Sequence, residues 1–300
     1  MSRRTVLVTG ATGTTGSRVL AGLRQRGVAV RPASRRGAPA FDWGDQDTWV
    51  DALVDIDTLY VVPPIEDSPT GVPRGMGDIS GFCKYAVKQG VDRFVLLSAR
   101  SGRAGNPEVV AVEDVVKALG VEWTILRPSA FHQNFAENFQ LNSANPLRQS
   151  IVDGSLEAMD LGSPIDFIDA ADIADVAVET LVGTGHHGQT YELSGPRAFP
   201  FAEAVRIIAR TLDRPIQYTE FQPTAWFERL RATGVDETVI GLVEHVLHSH
   251  DSGVFAGEFD TVERLLQRPP RSFEAYVRET AALGVWDMNQ AANKAMQHQR

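Results

Sequence analysis

The run Thr5–Leu23, TVLVTGATGTTGSRVLAGL, is the stretch on which the reading of the fold turns. It begins with Thr5-Val6-Leu7-Val8, short, apolar and β-branched, the composition of a strand buried on both faces. It ends with Arg18-Val19-Leu20-Ala21-Gly22-Leu23, where apolar residues return at helical spacing. Between the two lie Gly10, Gly13 and Gly16, with Thr9, Thr12, Thr14 and Thr15 in the gaps. Gly10 permits a tight turn out of the strand, Gly13 lets a phosphate approach the backbone, and Gly16 lets the helix pack close to the sheet. The N–H groups of the first helical turn and the positive end of the helix dipole then face a pyrophosphate. Glycines in a row say little by themselves. Set between a strand and a helix, they predict a dinucleotide-binding unit.

Moving outward, the second strand is read over Val28–Ala33, and it runs into Ser34-Arg35-Arg36-Gly37. A site selective for NAD places an acid here for the ribose 2′-hydroxyl. This chain offers a hydroxyl and two guanidinium forks instead, suited to a 2′-phosphate, so the expected cofactor is NADP(H). Asp42, in FDWGD, is a candidate acceptor for the adenine amino group or an ordinary turn aspartate. Thr58–Val62 reads as a third strand, stopped by Pro63-Pro64, and its end (Val62, Pro63, Pro64) faces the cofactor crevice of a doubly wound sheet.

Strand and helix go on alternating. Helices are read over Asp47–Val54, Asp78–Gln89 and Glu108–Leu119, and strands over Arg93–Leu97 and Val121–Leu126, the second ended by Arg127-Pro128. Pro164–Ile168 and Gln189–Leu193 read as further strands, with helices over Asp172–Val178 and Phe201–Leu212. Beyond Gln217 the alternation gives way to helical segments, Thr224–Ala232, Glu237–His248, Thr261–Gln267 and Phe273–Leu283. The predicted fold class is α/β: a Rossmann-like, doubly wound parallel sheet of about seven strands with a smaller, mainly helical C-terminal lobe. The expected division is an NADP-binding domain over 1–217, some of its later elements interleaved with the pocket, a substrate-facing lobe over 218–288, and a disordered tail over 289–300.

Composition narrows the function. Three hundred residues with 43% hydrophobic content can bury a substantial core. A net charge of −9 argues against a nucleic-acid partner. The lone Cys83 cannot form an internal disulfide, which suits a reducing compartment. The apolar run after Ser2-Arg3-Arg4 is too short for a signal peptide, and no stretch approaches a membrane span. The expectation is a soluble, cytoplasmic protein, a monomer or homodimer, with a small-molecule substrate and no nucleic-acid or membrane partner. His245, His248 and His250 lack a convergent carboxylate or cysteine, and no metal site is expected of them or of Asp166, Asp169 and Asp172.

By motif order and spacing, TGATGTTG, the serine after RFVLL, WTILRPSAFHQNF, FIDAADIADVA and YELSGP resemble the NmrA-like branch of the atypical short-chain dehydrogenases, from about Thr5 to Leu212. Within it, FDWGD, the VVPP turn, LSGP and VERLLQRPPRSFEAY resemble bacterial relatives of the fungal ergot-alkaloid reductases (festuclavine and agroclavine dehydrogenase-like), which reduce an iminium with NADPH. The resemblance implies that Pro128 lies by the nicotinamide, with Phe131, His132 and Phe135 on a substrate-pocket wall. One departure matters. The helix after Ser98 lacks the superfamily's Tyr-x-x-x-Lys, and Val109 stands where related quinone reductases carry a histidine. Ser98 is therefore read as a strand-end hydroxyl near the nicotinamide and not as part of a catalytic triad. No catalytic residue is assigned. His132 is the candidate proton donor, since histidine titrates nearest neutrality, although a lone histidine is more often structural.

Two functions follow. The first is an NADPH-dependent reductase delivering hydride to an activated acceptor (an iminium, quinone or enone) without a Tyr-Lys pair. The second is a non-catalytic, NADP(H)-binding redox sensor. An epimerase or dehydratase would need the acid/base pair that is absent.

Overall fold

The computed structural model describes residues 4–63, 76–103, 107–137, 146–160, 162–232, 234, 237, 240, 253–257 and 259–287. Pro64, most of Glu237–His248, the three histidines at its end and the expected tail over 289–300 lie outside the described residues.

The chain groups into two compact units that alternate along the sequence. The first comprises Met1–Ser129, Ala170–Ser194 and Phe259–Pro270; the second comprises Ala130–Asp169, Gly195–Glu258 and Arg271–Arg300. The boundary read near Gln217 falls inside the second unit.

The first unit is built on a six-stranded parallel sheet. Its strands are β1 (Thr5–Val8), β2 (Ala29–Pro32), β3 (Thr58–Val61), β4 (Arg93–Leu97), β5 (Glu122–Pro128) and β7 (Gln189–Leu193), in the order β2-β1-β3-β4-β5-β7. The chain winds one way from β1 to β2 and the other way from β3 onward. The sheet therefore has its switch point between β1 and β3, where ligands of open α/β sheets bind. Helices α2 (Asp47–Leu53), α3 (Met76–Lys88) and α4 (Pro107–Lys117) share one face, where Trp49, Leu53, Phe82, Cys83, Val112 and Val116 pack on Leu7, Leu59, Phe94 and Ile125. Helix α1 (Thr14–Gln25) buries Val19 and Leu23 and packs against α6 (Ala170–Val182); a Cβ on Gly22 would lie 3.0 Å from Val178 Cγ2.

The sheet has six strands where about seven were expected, and the difference lies at Pro164–Ile168. That segment forms only isolated bridges, Ile165 to Phe199 and Phe131 to Ile168, inside the second unit. Strand β5 also runs two residues further than read. Proline at the final strand position sacrifices no donor within the strand, so Pro128 still pairs with Leu193.

The second unit is mainly helical, as expected, with a helix over Phe273–Ala282 among its elements, but it also carries a small sheet that was not foreseen. It contains α5 (Pro146–Asp153), β6 (Ser155–Met159), α7 (Phe201–Thr211), β8 (Gln217–Phe221) and α8 (Pro223–Ala232), and β6 and β8 pair in parallel as a two-stranded sheet. Its core is aromatic, with Phe135, Phe167, Phe199, Phe273 and Trp286 buried together.

Candidate active site

At the switch point the glycine turn is held by its own backbone. Gly10 has φ of +60°, a left-handed conformation that disfavours a side chain, and a Cβ there would lie 3.1 Å from Val62 Cβ. Gly13 N–H donates to the Gly10 carbonyl at 2.9 Å. A Cβ on Gly16 would run into that same carbonyl, so Gly16 is required by the turn beneath it. Thr9 ties the turn to the next strand: its Oγ1 donates to Tyr60 O (3.0 Å) and accepts from Val62 N (2.7 Å). This stitch between the ends of β1 and β3 was not assigned from sequence.

Helix α1 opens at Gly13 without a side-chain cap and has no acid in its first turn. Its end is left to an anion, as the dipole favours. Thr12 is exposed, Thr14 half-buried and Thr15 buried. Past the end of β2, the Ser34 carbonyl accepts from Gly37 N (3.0 Å) and Phe41 N (3.0 Å), closing a turn. Arg35 and Arg36 extend from that turn into solvent and make no ion pair or hydrogen bond with the described residues. The donor set fits a dinucleotide carrying an extra phosphate: an uncapped helix end, a cradle that a Cβ would fill, and unpaired guanidiniums. Asp42 behaves as a turn aspartate, its Oδ1 accepting from Gly44 N at 3.0 Å, which accounts for the residue without a ligand.

The ends of β4, β5 and β7 carry an ionic network. Ser98 continues β4, its N–H donating to Leu126 O at 2.8 Å, and its Oγ donates to Glu113 Oε1 at 2.6 Å. Glu113, on α4, is fully buried. Arg127 of β5 donates to both its oxygens, Nε to Oε1 at 2.8 Å and Nη2 to Oε2 at 2.5 Å, and Lys117, one turn along α4, lies 3.3 Å from Oε2. Four donors meet the four lone-pair sites of one carboxylate. Burial alone would raise the Glu113 carboxyl, but the Arg127 and Ser98 hydrogen bonds and the charges of Arg127 and Lys117 outweigh it and hold the group below the usual carboxylate range. Arg127 faces Glu192 directly across the β5–β7 ladder, Nη1 to Oε1 at 3.1 Å. Buried Arg100 donates to Leu193 O, with Nε 3.6 Å from Glu192 Oε2 and its guanidinium over the Phe259 ring. Sequence reasoning assigned no role to Glu113 or Lys117, which lie within the helix read over Glu108–Leu119. Their spacing of four, with an arginine at a strand end, was the available signal for an ion-pair cluster.

In the second unit, His132 and Phe135 depart from expectation. The chain after Phe131 winds as a 3-10 turn over His132–Phe135, so residues three apart point the same way, into the core. His132 is fully buried, with Nε2 3.1 Å from Phe167 O, Nδ1 3.5 Å from Asp169 Oδ2, and the ring packed on Phe273 and Tyr276. A carbonyl only accepts, so Nε2 carries a hydrogen that is already committed. Phe135 is equally buried, among Phe167, Phe201 and Phe273, and its carbonyl accepts from Trp286 Nε1 at 2.9 Å. Both are core residues, not pocket walls, and His132 is withdrawn as proton donor. Phe131 keeps partial exposure, and Pro128, in the first unit, is buried. Val62 and Pro63 are half-buried at the end of β3. Among the described residues no cluster of three or more His, Cys, Asp or Glu is placed to hold a metal, and no helix is long and apolar enough to cross a membrane.

No protein-family model matches the chain. The oxidoreductase YesF of Bacillus subtilis is 31% identical, covering 94% of this chain and 97% of its own. An agroclavine dehydrogenase of Claviceps purpurea is 30% identical over 77% of this chain and 81% of its own. Among solved structures, an NADPH-dependent quinone oxidoreductase of Escherichia coli in complex with NADPH superposes with a TM-score of 0.72 at 20% identity, covering 91% of this chain and 99% of that one. This last likeness speaks for the Rossmann-like fold. The near full-length identity to YesF, with the glycine turn and the ordered motifs, establishes that the chain belongs to the NmrA-like branch of the atypical short-chain dehydrogenase/reductases, a family of NAD(P)H-dependent oxidoreductases.

Proposed function

We propose that the chain is an NADPH-dependent reductase whose acceptor is already electrophilic when it binds: an iminium ion, a quinone or an activated enone. Gly10, Thr12, Gly13, Thr14, Thr15 and Gly16 would hold the diphosphate, and Ser34, Arg35 and Arg36 the 2′-phosphate. Val62, Pro63, Ser98 and Pro128 would border the nicotinamide half. Bound NADPH supplies a hydride.

The observation that carries this reading is the saturation of Glu113. Reduction of a ketone builds negative charge on oxygen and needs a positioned proton donor. Ser98 cannot serve, because its hydrogen is given to a buried carboxylate. Glu113 cannot serve either, because it is ionised and fully hydrogen-bonded. An iminium needs no proton at the bond being reduced, since hydride cancels a charge already there. A quinone or activated enone gives a delocalised anion that water can protonate. The similarity to an agroclavine dehydrogenase and, in fold, to an NADPH-dependent quinone oxidoreductase supports a reductase acting on a small organic acceptor.

The test is NADPH oxidation followed with iminium, quinone, enone and ketone acceptors. Turnover of the first three without the ketone is the expected result, and brisk ketone reduction would refute it. Tight NADPH binding with silence across the panel would instead favour a dinucleotide redox sensor.

A further inference from the structure

The direction of one hydrogen bond assigns a role to Ser98. Its hydroxyl has one hydrogen, and that hydrogen points at Glu113 Oε1, 2.6 Å away. Reversal is blocked, because a carboxylate offers no hydrogen in return, and Glu113 is kept ionised by the Arg127 fork and by Lys117. Ser98 therefore presents lone pairs only, and no described residue donates to them. The residue is half-buried, so part of it remains open to a ligand. It stands one position past β4, two strands from the glycine turn in the order β1-β3-β4. A dinucleotide with its diphosphate at the start of α1 and its adenosine end by β2 extends its other half in that direction.

We propose that Ser98 is a hydrogen-bond acceptor for the carboxamide N–H of the nicotinamide, oriented for that purpose by Glu113. The inference rests on the NADP(H) reading above. It gives Ser98 a part in setting the rotation of the carboxamide, and hence the register of the ring, that is separate from acid catalysis. A serine free to rotate could donate to the carboxamide oxygen equally well. This one cannot.

The acetylpyridine analogue of NADPH separates the two cases, because it keeps the ring carbonyl and lacks the N–H donors. Fluorescence titration of the full chain measures the affinity for each cofactor. Wild type should bind NADPH about fivefold more tightly than the analogue, the worth of one ordinary hydrogen bond. Ser98→Ala should bind the two equally, having lost affinity only for NADPH. Ser98→Cys, nearly isosteric but a poor acceptor, should behave likewise, and covers the case in which the alanine variant folds badly. Ser98→Thr should keep the preference. Equal loss for both cofactors in Ser98→Ala would mean that the serine donates to the carbonyl or only supports the fold, and would overturn the proposal. So would a preference that survives the change. Failure of wild type to bind either cofactor would instead bring down the NADP(H) reading itself.

Discussion

Replacing Glu113 by glutamine removes one charge and little volume from the centre of the network. The carboxylate is fully buried and accepts from Arg127 twice, from Ser98 and from Lys117. Arg127 is itself only 16% exposed and would keep Glu192 as its one anionic partner. Deleting one member of a buried ion pair costs about 3–5 kcal/mol, because the other charge is left desolvated. Glutamine retains one acceptor oxygen but turns an amide N–H₂ toward a donor, so the expected loss is about 2–4 kcal/mol. At roughly 2–4 °C per kcal/mol for a chain of this size class, Tm should fall by about 4–16 °C. The pH dependence fixes the cause. A carboxyl whose folded pKa lies below its unfolded value of about 4.3 contributes stability that is complete above that value and is lost as pH falls through the folded pKa. Denaturant unfolding by circular dichroism between pH 3.5 and about 8 should therefore show a constant gap between wild type and Glu113→Gln down to about pH 5, then a shrinking one. A gap under about 0.5 kcal/mol at neutral pH, or one that widens on acidification, would refute the reasoning.

Arg35→Ala should weaken NADPH binding by about 1.5–3 kcal/mol, the worth of a charge-assisted phosphate contact, and leave NADH binding unchanged; isothermal titration with both cofactors checks it, and an equal loss for both would mean that the arginine does not discriminate. Gly16→Ala should cost about 1–3 kcal/mol in thermal unfolding and abolish NADPH binding, since the added Cβ would meet the Gly10 carbonyl; a normal melt with intact binding would show that the turn can yield. Burial pushes the Cys83 thiol up to about 12, so an aromatic disulfide reagent at pH 8 should label it only on unfolding. Prompt labelling of the native chain would contradict that burial.

The first unit was readable because its signals are local. A β-branched run, three glycines and a helical repeat lie within Thr5–Leu23, and the inner strands β3 and β4 are mostly apolar and buried because both faces of the sheet are covered there. The second unit was less readable for the opposite reason. Strands β6 and β8, SLEAM and QYTEF, are short and only partly buried, and they pair across some sixty residues, which a scan of neighbouring positions does not register. Pro164–Ile168 is apolar enough for a strand, yet its partners are loop segments. At the site, residue type was informative where the backbone dictated it, at Gly10 and Gly16. It misled at His132 and Phe135, because the 3-10 turn sets their direction and nothing in HQNF announces it. Glu113 was passed over because its meaning depends on Arg127 and Ser98, which lie on other elements.

The alternation of the two units along the chain has a consequence for synthesis. A polypeptide leaving the ribosome has all six strands of the parallel sheet available by Ser194, but Phe259–Pro270 belongs to that first unit and emerges much later. Within that last piece Arg268 pairs with Asp172, fully buried on α6, and with Asp175. Until it is made, the buried carboxylate of Asp172 lacks this ion-pair partner. The nascent nucleotide-binding half thus waits on sequence encoded after most of its companion, and a gene cut at the apparent domain border near residue 217 would leave that half without its closing segment. The first unit is completed only after most of the second has been made.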